Sequence, residues 1–166
     1  AVPEFRGYEV YYKFYSSDQA QEDGLASIGE LNTAGFHRMC SPGTLSEQGL
    51  PFEPLIPVNI SDRGAEFITE LIFLLPTTPY LDSPASVPPA FTVLHRSAVD
   101  ALFETETFDQ IALDQTDIDL GNVNWAQVAI DHQLILVVYA LSYGLYDLNQ
   151  SLYSTARYLG YMQYNF

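Results

Sequence analysis

Residues 134–141 read Leu-Ile-Leu-Val-Val-Tyr-Ala-Leu, an unbroken apolar run rich in β-branched and aromatic side chains. A run this short, closed by the turn-forming stretch Ser142-Tyr-Gly-Leu-Tyr-Asp-Leu-Asn-Gln-Ser151, is a buried strand entering a turn. Residues 152–161 then make a second strand. A two-stranded ribbon does not hold in water by itself, so the remaining chain has to supply further strands and a facing layer.

Residues 5–15 meet part of that need. Tyr8, Val10, Tyr12 and Phe14 alternate with Glu9, Tyr11, Lys13 and Tyr15, the pattern of a strand with one buried face. Residues 65–75 are a further strand, with Phe67, Leu71 and Phe73 on one side, and 90–95 a short one. Two helices are expected between strands. One runs over 19–31, capped by Ser17 or Asp18 and weakened by Gly24 and Gly29; the other runs over 97–108, capped by Ser97. Pro42, Pro51, Pro54 and Pro57 make 41–57 a loop, and Pro76, Pro79, Pro84, Pro88 and Pro89 make 76–89 another. No internal repeat or composition shift divides the 166 residues. The expectation is one domain, with insertions at about 16–64 and 76–124.

The charge balance narrows the function classes. Twenty-one acidic residues face six basic ones, for a net charge of −15, and Lys13 is the lone lysine. Such a chain repels phosphate backbones and anionic lipid surfaces, which argues against a nucleic-acid role. It suits a basic partner, Ca²⁺, or simple solvation. Cys40 stands alone, so no internal disulfide and no cysteine metal cluster forms. The longest apolar run is well short of the roughly 20 residues that span a bilayer. The opening Ala1-Val-Pro, without Met, is what a trimmed chain would show. With 12 Tyr, 10 Phe and 10 Pro, it points to an extracytoplasmic β-rich protein of periplasm, outer membrane or cell surface.

Two segments carry a family likeness. Arg6-Gly-Tyr-Glu-Val-Tyr-Tyr-Lys13 resembles the third strand of the fibronectin type III domain. Leu136-Val-Val-Tyr-Ala-Leu-Ser142 and, after a polar turn, Leu152-Tyr-Ser-Thr-Ala-Arg157 resemble its last two strands. The resemblance implies a mainly β fold: an antiparallel β-sandwich of two sheets with long loop and short-helix insertions, residues 65–75 lying between the matched strands. The chain departs from the family in having only six residues before Gly7, where two strands and a buried Trp belong, and in carrying Leu134 where a tyrosine starts the penultimate strand. It is also similar to acidic, Tyr-rich lipoproteins of spirochaetes, which implies attachment through a lipidated cysteine upstream of Ala1.

Three sets of residues invite a chemical reading. Asp109, Asp114, Asp117 and Asp119, with Gly121 and Asn122 beside them, offer the oxygens that Ca²⁺ takes, with Asp114, Asp117 and Asp119 as the ligands. Their spacing is not that of an EF-hand, and a solvated acidic loop accounts for them equally. His37, His95 and His132 lack the helical spacing of zinc ligands, and no Gly-x-Ser-x-Gly turn presents a serine, so structural roles are expected. Cys40, close to His37 in sequence, reads as a buried thiol. Among Tyr139, Tyr143, Tyr146, Tyr153, Tyr158, Tyr161 and Tyr164, the ones near the hairpin turn, Tyr143, Tyr146 and Tyr153, are the partner-contact candidates; packing in the core is the competing role. Asn59 and Asn149 open Asn-x-Ser sequons.

The reading that follows is a non-catalytic module, with no cofactor, that binds or scaffolds another protein. It would meet that partner through loops 41–57 and 76–89 and the hairpin tip 144–151. A calcium-dependent module or enzyme built on the 109–119 loop is the competing class. A third is a subunit of an assembly completed by a partner's strand, which an open edge at the N-terminal strand would mark.

Overall fold

The computed structural model describes residues 4–40, 55–57, 69–72, 90–96, 107–146 and 150–166. Its strands in chain order are β1 (Glu4–Ser16), β2 (His37–Cys40), β3 (Ile56–Pro57), β4 (Thr69–Ile72), β5 (Ala90–Val93), β6 (His95–Arg96), β7 (Gln133–Tyr146), β8 (Gln150–Tyr153) and β9 (Arg157–Asn165). Two short helices join them: α1 (Ile28–Thr33) and α2 (Trp125–Asp131).

β1 and β7 are the spine. They pair antiparallel from Ser16 opposite Leu134 to Glu4 opposite Leu145, with one irregularity between Phe5 and Gly7. On the far side of β1 lie β2, opposite Tyr11 and Tyr12, and β3, opposite Gly7 and Tyr8. β6 pairs with β2 in turn. On the far side of β7, β8 takes residues 143–146 and β9 takes 133–140. The protein is thus mainly β, built on one predominantly antiparallel seven-stranded sheet, while β4 and β5 form a separate parallel pair.

The apolar run of β7 is continuous because both faces of the sheet are covered. One face carries Val10, Tyr12, Phe14, Leu134, Leu136, Val138 and Tyr164, packed under Leu94, Phe108, Leu120, Val123 and Val128. The other carries Tyr11, Tyr15, Ile135, Val137, Tyr139 and Leu141, packed under Leu31, Phe36 and Ala156. The strand over residues 5–15 was expected to bury one face. Its burial on both sides corrects that expectation, because tyrosine rings fill the second face as well. The covering residues named here come from helices, turns and connecting segments.

Several local expectations shift for identifiable reasons. The first helix is capped by Ser27, whose hydroxyl accepts the Glu30 N–H, rather than by Ser17 or Asp18. Ser17 instead donates to Asp131 and Asp18 accepts from Asn124, tying the end of β1 to α2. A second helix precedes the long strand: Asn124 caps α2, accepting the Gln127 N–H, and the helix ends at His132. His132 is the C-cap of that helix. It closes the helix in the left-handed region, at φ 59°, which histidine enters more readily than most residues. The second strand of the ribbon, expected over 152–161, is divided into β8 and β9 by the Ser154–Ala156 crossing. There Ser154 Oγ accepts the Ser142 N–H, and the Ala156 N–H reaches Ala26 O. Residues 41–54 of the first loop, the whole of 76–89 and most of the 97–108 helix lie outside the described residues, as do parts of the 65–75 strand, residues 147–149 of the hairpin tip, and Asn59 and Asn149 of the sequons; the end of the first loop, Ile56–Pro57, is instead the strand β3, because it finds the open side of β1 at Gly7 and Tyr8.

Gly144 has a steric reason to be glycine. It lies beside the irregularity in the β1–β7 ladder, and a Cβ there would sit 2.6 Å from the backbone oxygen of Glu4. Backbone cannot rotate away as a side chain can. Gly144→Ala is expected to cost about 1–3 kcal/mol, the range for overpacking, in urea unfolding, whereas Gly24→Ala, with open space around it, stays near wild type.

Candidate functional site

The acidic loop is held by an arginine. Residues 109–120 run through two single-turn 3-10 helices, Gln110–Ala112 and Ile118–Leu120, across the first face of the sheet. Arg96 is fully buried beneath them. Its Nη1 donates to Asp117 at 2.9 Å and to Asp119 at 3.0 Å, its Nε to Thr107 O, and its Nη2 to Ala112 O. Asp119 also accepts the Tyr12 hydroxyl at 2.7 Å. Burial lowers the tendency of the nearby His37 to take a proton, and the Asp119 charge partly opposes that.

The calcium candidates are therefore spoken for in different ways. Asp117 and Asp119 face Arg96, while Asp114 folds back on its own turn, accepting the Thr116 N–H and hydroxyl, and Asp109 caps the Ile111 N–H. Backbone and hydroxyl donors from Thr116 hold the Asp114 carboxyl below its usual range. Among the described residues no three His, Cys, Asp or Glu side chains gather as a metal site.

Four tyrosines, Tyr12, Tyr15, Tyr139 and Tyr164, act as pins for the irregular covers. On the second face the Tyr139 hydroxyl donates to Glu22 O and accepts the Leu25 N–H, and Tyr15 donates to the Glu22 carboxylate, which Lys13 also contacts at 3.0 Å. On the first face the Tyr164 hydroxyl donates to Phe108 O. A buried tyrosine needs such a partner, and the backbone of a segment without ladder bonds supplies one. Glu9 is buried in the second face, accepting the Tyr11 hydroxyl and pairing with Arg38 at 3.3 Å.

Of the three partner-contact candidates, Tyr143 is 1% exposed and its ring lies against Tyr153, so it faces protein rather than solvent. Tyr153 is half-buried, and burial pushes its hydroxyl up to about 12. Tyr146 is also partly buried, at the end of β7.

Exposed apolar surface gathers instead on β9. Tyr161 is 61% exposed, Leu159 56% and Tyr158 39%, and Phe166 just beyond the strand is also exposed. Register places Tyr158 opposite Tyr139 and Tyr161 opposite Val137, so both rings extend the second face past its cover. A register shift at Leu159 and Gly160, the latter at φ 125°, bends the strand, and residues 161–165 continue in regular pairing with β7. Among the described residues no strand pairs with the outer side of β9, so alternate N–H and C=O groups there point away from the sheet. The N-terminal strand, by contrast, pairs on both sides at Gly7, Tyr8, Tyr11 and Tyr12, whereas β9, like β8, pairs on one side among the described residues.

One signal for this edge was present in the sequence without being used. Between Asp131 and Phe166 the sole carboxylate is Asp147, in a chain with 21 acidic residues. β9 itself carries Arg157 and no acid.

The described residues form a mainly β, predominantly antiparallel sheet protein, in which β9 pairs on one side and carries a single charged side chain. Comparison with protein-family models, with curated proteins and with solved structures finds no match.

Proposed function

We propose that this chain is a non-catalytic, exported or surface-exposed module that binds another protein, and that it does so by accepting a strand along β9. The carrying observation is the conjunction at β9 of an open hydrogen-bonding edge, exposed Tyr158, Leu159 and Tyr161, and the absence of carboxylates. Main-chain bonds along such an edge supply affinity, and alternate side chains supply selectivity. Aromatic rings add contact area at small entropic cost.

A fibronectin type III-like arrangement belongs to the same proposal. β1 would stand for the third strand, β7 for the penultimate and β8 with β9 for the last. The neighbour order third, penultimate, last is that of one sheet of an immunoglobulin-type sandwich, in which the last strand is an edge. Export rests on the aromatic- and proline-rich, acidic composition.

The test is site-specific photo-crosslinking in the cells that make the protein. A photoreactive side chain at position 161 is expected to capture protein, while one at Ile111, which is 93% exposed and lies on the opposite cover, is expected to capture none of the same products. Equal capture from both positions, or none from 161, overturns the reading.

A further inference from the structure

We infer that the occupant of the β9 edge is a second copy of this chain, its own β9 laid antiparallel across a two-fold axis; this rests on β9 being the contact surface.

Electrostatics selects the occupant. A basic partner would be drawn to carboxylates, and β9 has none; its one charge, Arg157, has the sign that repels such a partner. Two copies at −15 each repel over most of their surfaces. β9 itself brings no carboxylate to such a contact; the acids near it, Asp23 by Tyr158 and Asp109 by Tyr164, belong to the covers of the two faces.

Geometry supports the same occupant. A two-fold axis presents the same patch from each copy, so residue i of one meets residue j of the other and the reverse. β9 already runs antiparallel to β7, and a second β9 antiparallel to the first would continue that alternation through the axis. The regular stretch 161–165 lies beyond the bend at Leu159 and Gly160 and contains no proline or lysine, the residues that blunt an edge. Tyr161 stands at its start, where cross-strand aromatic contacts add to main-chain bonds.

Salt separates this pairing from capture of a basic protein. Screening shortens the Debye length from about 10 Å at 0.1 M to about 3 Å at 1 M, which relieves repulsion between like-charged copies and weakens attraction between opposite charges. The experiment is sedimentation velocity of the purified chain over a range of concentrations, at low and high sodium chloride. The mass is expected to rise from 18.6 kDa to twice that value, at lower protein concentration in high salt. Tyr161→Lys is expected to abolish the dimer while Ile111→Lys keeps it. Amide exchange of 161–165 in the unaltered chain, expected to slow as concentration rises, gives a readout independent of any variant's folding.

A chain that stays monomeric at both salt levels with unchanged exchange at 161–165, or a dimer that Tyr161→Lys leaves intact, overturns self-pairing. If position 161 still captures a different protein in cells, the strand-addition reading stands and only the choice of occupant falls. If it captures neither itself nor another protein, both fall.

Discussion

Replacing Arg96 with methionine is expected to lower stability by about 3–5 kcal/mol. The guanidinium is buried and gives hydrogen bonds to two carboxylates and two carbonyls. Removing it leaves Asp119, itself buried, with the Tyr12 hydroxyl but no counter-charge, and frees Thr107 O and Ala112 O of a donor. A buried charge stripped of its partner is far more costly than the intact pair is stabilising. Urea unfolding checks the magnitude. Combining Arg96→Met with Asp119→Leu is expected to recover much of the loss, because the fully buried uncompensated charge is then gone and Asp117 retains some contact with solvent. A double variant as unstable as the single would place the cost in the lost carbonyl contacts.

Phe108→Ala is expected to cost about 3–5 kcal/mol by the same measurement, the range for deleting a buried aromatic ring. Phe108 is completely buried, its ring edge-on to Tyr12 at 4.8 Å and stacked near Phe14 at 6.3 Å. Its carbonyl accepts the Tyr164 hydroxyl. It is the residue by which the 107–131 segment first enters the core. Ile111→Ala, three residues on, is expected to stay within about 0.5 kcal/mol, since its side chain lies in solvent. The contrast tests whether this segment seals the first face of the sheet, as its packing requires. Loss of stability at 111 comparable to that at 108 would mean that the segment packs differently.

Both predictions concern the segment whose aspartates the sequence offers either as calcium ligands or as a solvated acidic loop. The aspartates there are functional in the structural sense: Asp117 and Asp119 anchor a cover over apolar strands, and Asp109 and Asp114 shape its turns. The tyrosines follow the same logic. Tyr12, Tyr15, Tyr139 and Tyr164 couple a buried ring to a hydroxyl that grips a covering segment. What is left outside this work is the second-face side of β9, where Tyr158 and Tyr161 extend past the cover.

Much of the sheet was legible in the chain. The alternation over 5–15 and the apolar run 134–141 announce β1 and β7, and the polar turn after them announces a returning strand. Tyr139 and Tyr143 do lie opposite the face of Leu134, Leu136 and Val138, as a period of two demands. α2 was legible too, in Asn124 followed three residues on by Gln127, but the apolar run beyond it drew the reading towards strand. These features are local: backbone geometry and the spacing of side chains determine them within a few residues.

The remainder is non-local, and that is why the tertiary structure alone decided it. Whether Tyr143 faces solvent or protein depends on Tyr153 across the ladder. Arg96 gives no sign in its own neighbourhood that Asp117 and Asp119, more than twenty residues on, will meet it. Which strand is left at the edge depends on the order of all the others: β1 is flanked by β2, β3 and β7, and β9 by β7. Periodicity specifies which faces of a strand seek burial, but only the packed chain determines which of them find it.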